Sequence, residues 1–257
     1  MNNYRIKKVA HLLTLSLILA GFSWFHPSAA YSAKAFAKAS LSTQSKQRPP
    51  APPSTPPPNR TRSGGSLGGE ATCVAGDQNL MALVPVQNPV ITIREHPTFL
   101  FYVPYGAEQV QYGEFSLLVG PDEMTRLYQT RFTLPAEPGI VSVSLPNLPD
   151  YALKEDTFYH WYFKLYCNGS TTADVQVDGW VQRVAATPER QRQIEVASPD
   201  VWYDSLAEIA AGLLADPNNS LLRAQWRILL EHIDADNLTQ TPMVGAVQPD
   251  SEPPIGE

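Results

Sequence analysis

The sequence predicts a mainly β protein with a small α part: an antiparallel β-sandwich followed by a C-terminal helical hairpin. Three observations carry this. Short apolar runs recur between residues 80 and 184, divided by Pro, Gly and Asn turn signals. Among them, Thr157-Phe-Tyr-His-Trp-Tyr-Phe-Lys-Leu-Tyr-Cys167 alternates with period two and holds six aromatics but neither glycine nor proline, the pattern of a central strand. After Ala186 the apolar period lengthens to that of a helix.

The chain begins with Arg5, Lys7 and Lys8, an apolar run over 9–25, and the small residues Ser28, Ala29 and Ala30. That order describes a secretory signal peptide over 1–30, cleaved after Ala30, with Ala35 and Ala37 as fallback sites. An uncleaved anchor is the alternative, because the run approaches the length of a membrane span. Residues 31–72 are Ala/Ser/Lys-rich, then carry Pro49-Pro-Ala-Pro-Pro53, Pro56-Pro-Pro58 and Ser63-Gly-Gly-Ser-Leu-Gly-Gly69. Such composition predicts a disordered tether, extended at the prolines and hinged at the glycines.

From residue 71 onward there are 10 Lys and Arg against 24 Asp and Glu, a net charge of −14. A body this acidic argues against nucleic acid and against anionic membrane as partners. Cys73 and Cys167 are the only cysteines. An even pair in an exported chain fits one disulfide, with two free thiols as the alternative. After the signal the histidines are His96, His160 and His232, scattered and without metal-ligand spacing, so neither metal nor cofactor is expected.

The sandwich is placed at 73–186. Its candidate strands are 80–86, 90–94, 98–103, 113–119, 126–134, 140–145, the aromatic strand and 174–184, with breakers such as Asn88-Pro89, Gly120-Pro-Asp122 and Glu137-Pro-Gly139 between them. On the aromatic strand the odd residues Tyr159, Trp161, Phe163, Leu165 and Cys167 form the core face. The even face, with His160, Tyr162 and Tyr166, is where a binding role would sit. Leu153-Lys-Glu-Asp-Thr157-Phe-Tyr159 has a spacing similar to the approach to strand F in immunoglobulin and fibronectin type III sandwiches. There a tyrosine corner bonds back to nearby backbone, which assigns Tyr159 a structural role. Gly179 before Trp180 signals a bulge or a close backbone approach. Trp180 reads as a core or edge-covering residue, or as a ligand platform.

The hairpin is placed at 187–240. Thr187-Pro188-Glu189 and Ser198-Pro199-Asp200 are capped helix starts. Trp202, Leu206, Ile209 and Leu213 form one helical face, Asp216-Pro-Asn-Asn219 ends it, and Leu222, Trp226, Leu229 and Ile233 form the next. Trp202 and Trp226 are thereby assigned to the core. Residues 241–257, with four prolines and three acids, are expected to be disordered.

No nucleophile elbow, phosphate-binding loop or dinucleotide fingerprint is present, and no catalytic residue is assigned. The runs Glu95-His-Pro-Thr-Phe-Leu-Phe-Tyr-Val-Pro104, Phe132-Thr-Leu-Pro-Ala-Glu-Pro-Gly-Ile-Val141, Tyr159-His-Trp-Tyr-Phe163 and Gly179-Trp-Val-Gln-Arg-Val184, continued by Trp202-Tyr-Asp-Ser-Leu206, resemble the family catalogued as domain of unknown function 928, over roughly 73–235. The resemblance implies a secreted cyanobacterial protein with a β-rich core and a C-terminal helical piece, and it carries over no catalytic residues. The stretch from Ile194 to Trp202 is shorter than the family pattern implies.

The expected function is an exported, non-catalytic binding or accessory module of the cell envelope, periplasmic, outer-envelope or extracellular, meeting a protein or an envelope polymer. Candidate binding residues are His160, Tyr162, Tyr166 and Trp180. The alternatives are an envelope hydrolase using His160 with acids near Asp174 and Asp178, or carbohydrate binding through exposed Trp161, Trp180 or nearby tyrosines.

Overall fold

The computed structural model describes residues 55–63, 73, 79–167, 169 and 171–250. The signal peptide, residues 31–54 and 64–72 of the expected tether, and 251–257 of the tail lie outside them.

The described residues are mostly strands in two sheets, with three α-helices. In order come β1 (Met81–Ala82), β2 (Ile91–Thr92), β3 (Thr98–Val103), β4 (Tyr112–Val119), β5 (Thr125–Thr133), β6 (Gly139–Ser144), β7 (Thr157–Tyr166), β8 (Val175–Arg183), α1 (Pro188–Glu195), α2 (Trp202–Ala215), α3 (Ser220–His232), β9 (Met243–Ala246) and β10 (Gln248–Pro249). The smaller sheet has the order β1-β3-β6-β9, and the larger β10-β5-β4-β7-β8-β2.

Period-two alternation places β7 in the middle of the larger sheet, between β4 and β8. Its odd residues Tyr159, Trp161, Phe163 and Leu165 are buried, as the pleat requires. They meet the other sheet through aromatic contacts: Phe101 stacks on Phe163 at 4.1 Å and stands edge-on to Trp161 at 5.5 Å, while Phe99 lies 5.1 Å from Phe115. Gly179 faces Trp161 across the β7–β8 ladder, where a Cβ would come 2.5 Å from the indole. The register there is continuous, so this glycine marks a close approach; the larger sheet's register shift lies on β5, where Leu127 is the extra residue opposite Leu117 and Leu118.

The expectation of a purely antiparallel sandwich needs correction. β2 runs parallel to β8, and β9 parallel to β6. Parallel pairing needs a long crossover, and each of these pairs joins strands far apart in sequence.

The tail is corrected as well. Residues 243–246 join the smaller sheet, Gln248–Pro249 pairs with β5, and Val247 between them is buried. The apolar run Met243 to Val247 outweighs its prolines, since Pro242 precedes the strand and Pro249 lies on an edge, where a missing N–H is tolerated. Gly245 takes φ 98°, which suits glycine alone, beside the register shift at Val141.

The third correction concerns the tether. Residues 59–63 form a strap on the body, with Asn59, Thr61 and Ser63 buried. Asn59 N–H donates to Val86 C=O, Arg60 and Asp178 exchange backbone hydrogen bonds, Ala82 N–H donates to Thr61 C=O, and Ser63 N–H to Leu80 C=O. The Arg62 guanidinium donates to the Asp234 carbonyl beyond α3. Five residues thus tie together β8 of the larger sheet, β1 of the smaller and the end of the helical part.

α1 starts at the expected Thr187 cap and the expected Ser198 cap opens a single turn, Pro199–Val201, that leads into α2, while α3 is capped by Asn219, expected only to end the helix before it. The Thr187 side chain accepts from Arg190 N–H, Ser198 from Asp200 N–H, and Asn219 from Leu222 N–H. α2 packs on α3 and against β2, β3 and β9. Trp202, Trp226, Leu206, Ile209 and Leu229 enter the same core as the sheets.

Candidate functional site

The even face of β7 and its neighbours carry the densest polar chemistry. His160 is buried, and both ring nitrogens are engaged: Nδ1 lies 2.7 Å from Glu123 Oε1, and Nε2 lies 3.2 Å from Asp178 Oδ2. Tyr162 O–H donates to Glu123 Oε2 at 2.8 Å. The Trp180 ring stacks on the imidazole at 4.2 Å, and Arg60 Nε reaches Asp178 Oδ1 at 3.5 Å.

Each member is placed by local structure. The β7–β8 register sets His160 opposite Trp180 and Tyr162 opposite Asp178. Glu123 comes from the turn after β4 with φ 54°, a conformation uncommon outside glycine, and from there its carboxylate reaches both His160 and Tyr162. Asn59 fixes the far side: its Oδ1 accepts the Trp180 N–H at 2.8 Å, while its Nδ2 donates to Pro85 C=O. Burial, then the Glu123 hydrogen bond and charge, raise the Tyr162 phenol above its ordinary value.

Among the predicted binding residues, then, His160, Tyr162 and Trp180 come together, and Tyr166 does not. Tyr166 stacks on Tyr112 at 4.4 Å, with the Arg131 guanidinium over the Tyr112 ring. Asp174 also stands apart, its Oδ2 accepting the Cys167 N–H. Trp161 and Trp180 are both buried, at 1% and 4% exposure, so neither offers an open ring for a sugar. Tyr159 O–H accepts the Lys154 N–H at 2.8 Å, the hydrogen bond of a tyrosine corner. Trp161 Nε1–H donates to Tyr203 O–H, which donates to Trp180 C=O, so α2 is bonded into the sheet beneath the cluster.

Cys73 and Cys167 form a disulfide with Cα atoms 5.6 Å apart. Their sulfurs and an Asp174 carboxylate oxygen lie within 4.8 Å of one another, but sulfurs bonded to each other present no thiolate to a metal.

A second buried charge escaped the sequence reading. Asp204, in the first turn of α2 and 1% exposed, accepts Thr92 O–H and Ile93 N–H, both at 2.8 Å. Burial raises its carboxyl above the ordinary range, against the pull of those hydrogen bonds and of Arg94. Its one sequence signal is an acid within the apolar start Trp202-Tyr-Asp-Ser-Leu206. Glu123, Arg60 and Asn59 gave none, because they lie in a turn and in a stretch without alternation.

The outer side of the smaller sheet and α2 enclose a half-open groove of about 180 Å³, lined by residues such as Leu100, Ser142, Ala207, Ala211 and Leu214. Clefts for drug-sized ligands typically hold roughly 300–1,000 Å³.

These features define a two-sheet, disulfide-linked β protein with an attached helical hairpin and an internally bonded polar cluster. Residues 60–243 match the family described as Domain of Unknown Function (DUF928), and the chain belongs to that family. Its matched region opens at the strap, on Arg60. Comparison with curated proteins and with solved structures finds no match. Among the described residues, no helix is long and apolar enough to cross a membrane.

Proposed function

We propose that this chain is an exported, non-catalytic binding or accessory module of the cell envelope, working through protein–protein contact. The observation that carries the reading is the saturation of His160. A general base needs a ring nitrogen within reach of substrate, and here one nitrogen faces Glu123 and the other Asp178. The raised Tyr162 phenol is a poor nucleophile, and Asp174 belongs to a different part of the sheet. Of the hydrolase alternative's residues, His160 and Asp178 stay paired while Asp174 is engaged elsewhere, which favours the binding reading.

Export, in a secreted protein of cyanobacterial type, is supported by the N-terminal sequence and by the disulfide, which persists in oxidising compartments. The Tyr159 corner supports kinship with immunoglobulin and fibronectin type III sandwiches. For the contact surface, the reading points to the hairpin: Leu221 and Ile228 are spaced seven apart on one face of α3, 67% and 57% exposed, and Leu214 near the end of α2 is also exposed.

The test is affinity capture from envelope extract with the mature chain as bait. A specific protein should be recovered, and L221K/I228K should lose it while H160Q keeps it. Recovery of nothing above a blank-bait control, or hydrolysis of an envelope polymer abolished by H160Q, overturns the reading.

A further inference from the structure

The slot that holds residues 59–63 is built from backbone. Arg60 N–H donates to Asp178 C=O at 2.9 Å and Asp178 N–H donates to Arg60 C=O at 3.1 Å, so these two form a hydrogen-bonded antiparallel pair. Two positions on, Ala82 N–H to Thr61 C=O and Ser63 N–H to Leu80 C=O flank Arg62 and Met81, which therefore form a non-hydrogen-bonded pair. Without the strap, these stretches of β8 and β1 would be open edges, ready templates for an extended chain. Asn59 adds side-chain selectivity through Trp180, Asn88 and Pro85.

The strap is suited to being a donor strand. Pro56, Pro57 and Pro58 precede it and hold φ near the extended value, which lowers the entropy lost on docking. It lies N-terminal to every strand of both sheets, so it can leave without breaking any other pairing. Nine residues separate Ser63 from Cys73, which the disulfide joins to Cys167.

We propose that the slot between β1 and β8 is an interaction site for the same segment, residues 59–63, of a second copy of this chain, so that two copies exchange straps. The occupant follows from the complementarity seen within one chain. The exchanged contact reuses the same hydrogen bonds, which makes strand exchange a low-cost route to a dimer. The effective concentration of the competing straps decides which one fills the slot.

The test uses two full-length variants that cannot bridge strap to slot within one chain, Arg62→Cys and Met81→Cys, mixed at rising concentration and oxidised. A non-hydrogen-bonded pair sets Cα atoms ~4.5 Å apart, within disulfide range. The expected result is a heterodimer bridged from position 62 of one chain to position 81 of the other, in excess over the heterodimer formed with Met124→Cys, at an exposed turn remote from the strap in sequence. Should Met81→Cys not fold, Arg60→Cys mixed with Asp178→Cys asks the same question, since a hydrogen-bonded pair has Cα atoms ~5.5 Å apart. Folded partners that give no such bridge, or no more than the Met124→Cys control, overturn the proposal.

Discussion

Arg60 and Asp178 are joined three times: by two backbone hydrogen bonds, at 2.9 and 3.1 Å, and by an ion pair of 3.5 Å. The same carboxylate holds His160 through its other oxygen. The three links differ in worth. The Arg60 side chain is 61% exposed, and its ion pair is screened by solvent. Arg60→Ala should therefore cost well under ~1 kcal/mol. Asp178→Ala leaves a buried imidazole nitrogen without its partner and should cost ~2–3 kcal/mol. Urea midpoints of the two variants, compared side by side, check the ordering.

Tyr159→Phe removes the acceptor of the Lys154 N–H while leaving the ring in the core. The expected loss is ~1 kcal/mol or more. An unchanged denaturation midpoint would show that this hydrogen bond does not hold the entry to β7.

Trp202 and Trp226 are both buried, yet only Trp202 uses its indole N–H, donating to Leu83 C=O at 2.9 Å. Trp226 Nε1 is buried with no partner in the structure. Trp202→Phe should destabilise by ~1 kcal/mol more than Trp226→Phe, because only the first orphans a buried carbonyl. Equal losses by thermal or chemical denaturation would contradict this assignment.

Asp204 makes a pH-dependent prediction. Its folded-state carboxyl is raised by burial, so the native protein binds this proton more tightly than the unfolded chain does. The group's contribution is fully present below the unfolded value of about 3.9 and declines as pH rises through the folded value. Asp204→Asn should flatten that part of the stability–pH profile, measured as urea midpoints across the acid range. Asp204→Ala, which strands the Ile93 N–H, should cost ~1–3 kcal/mol at neutral pH.

The disulfide closes a loop with a sequence separation of 94. In the chain-entropy account such a link contributes roughly 4–5 kcal/mol through the unfolded state. Reduction should lower the denaturation midpoint by a corresponding amount, and an unchanged midpoint would mean that the loop ends are held close without the bond.

What could be read in the sequence is what alternation and capping encode. β3 begins and ends at the predicted residues, the long strands shift by about a residue, α1 starts at its expected cap and α2 follows one turn after the expected Ser198 cap, because burial on one face and a side-chain oxygen before the first turn are local signals, whereas the Asn219 cap of α3 read only as the end of α2. His160, Tyr162 and Trp180 were nominated from one strand face and a neighbouring tryptophan. Their partners were not, since Glu123 reaches them from a turn and Asn59 and Arg60 from a segment whose pairing runs through backbone and leaves no apolar pattern. β9 and β10 were missed for a related reason: proline density spoke for disorder, while Met243 to Val247 spoke for a strand only once β6 offered an edge. The two parallel pairings depend on long crossovers, and a local reading does not reach them.

The strap has a mechanical consequence. A pull applied at Thr55 does not load one strand end alone. It passes through Asn59 into the backbone at Val86, through Arg60 into β8, through Thr61 and Ser63 into the stretch around β1, and through Arg62 into the chain just past α3. Tension entering from the N-terminal side is therefore shared among both sheets and the helical part within five residues, and the point of attachment is also the point at which the load is divided.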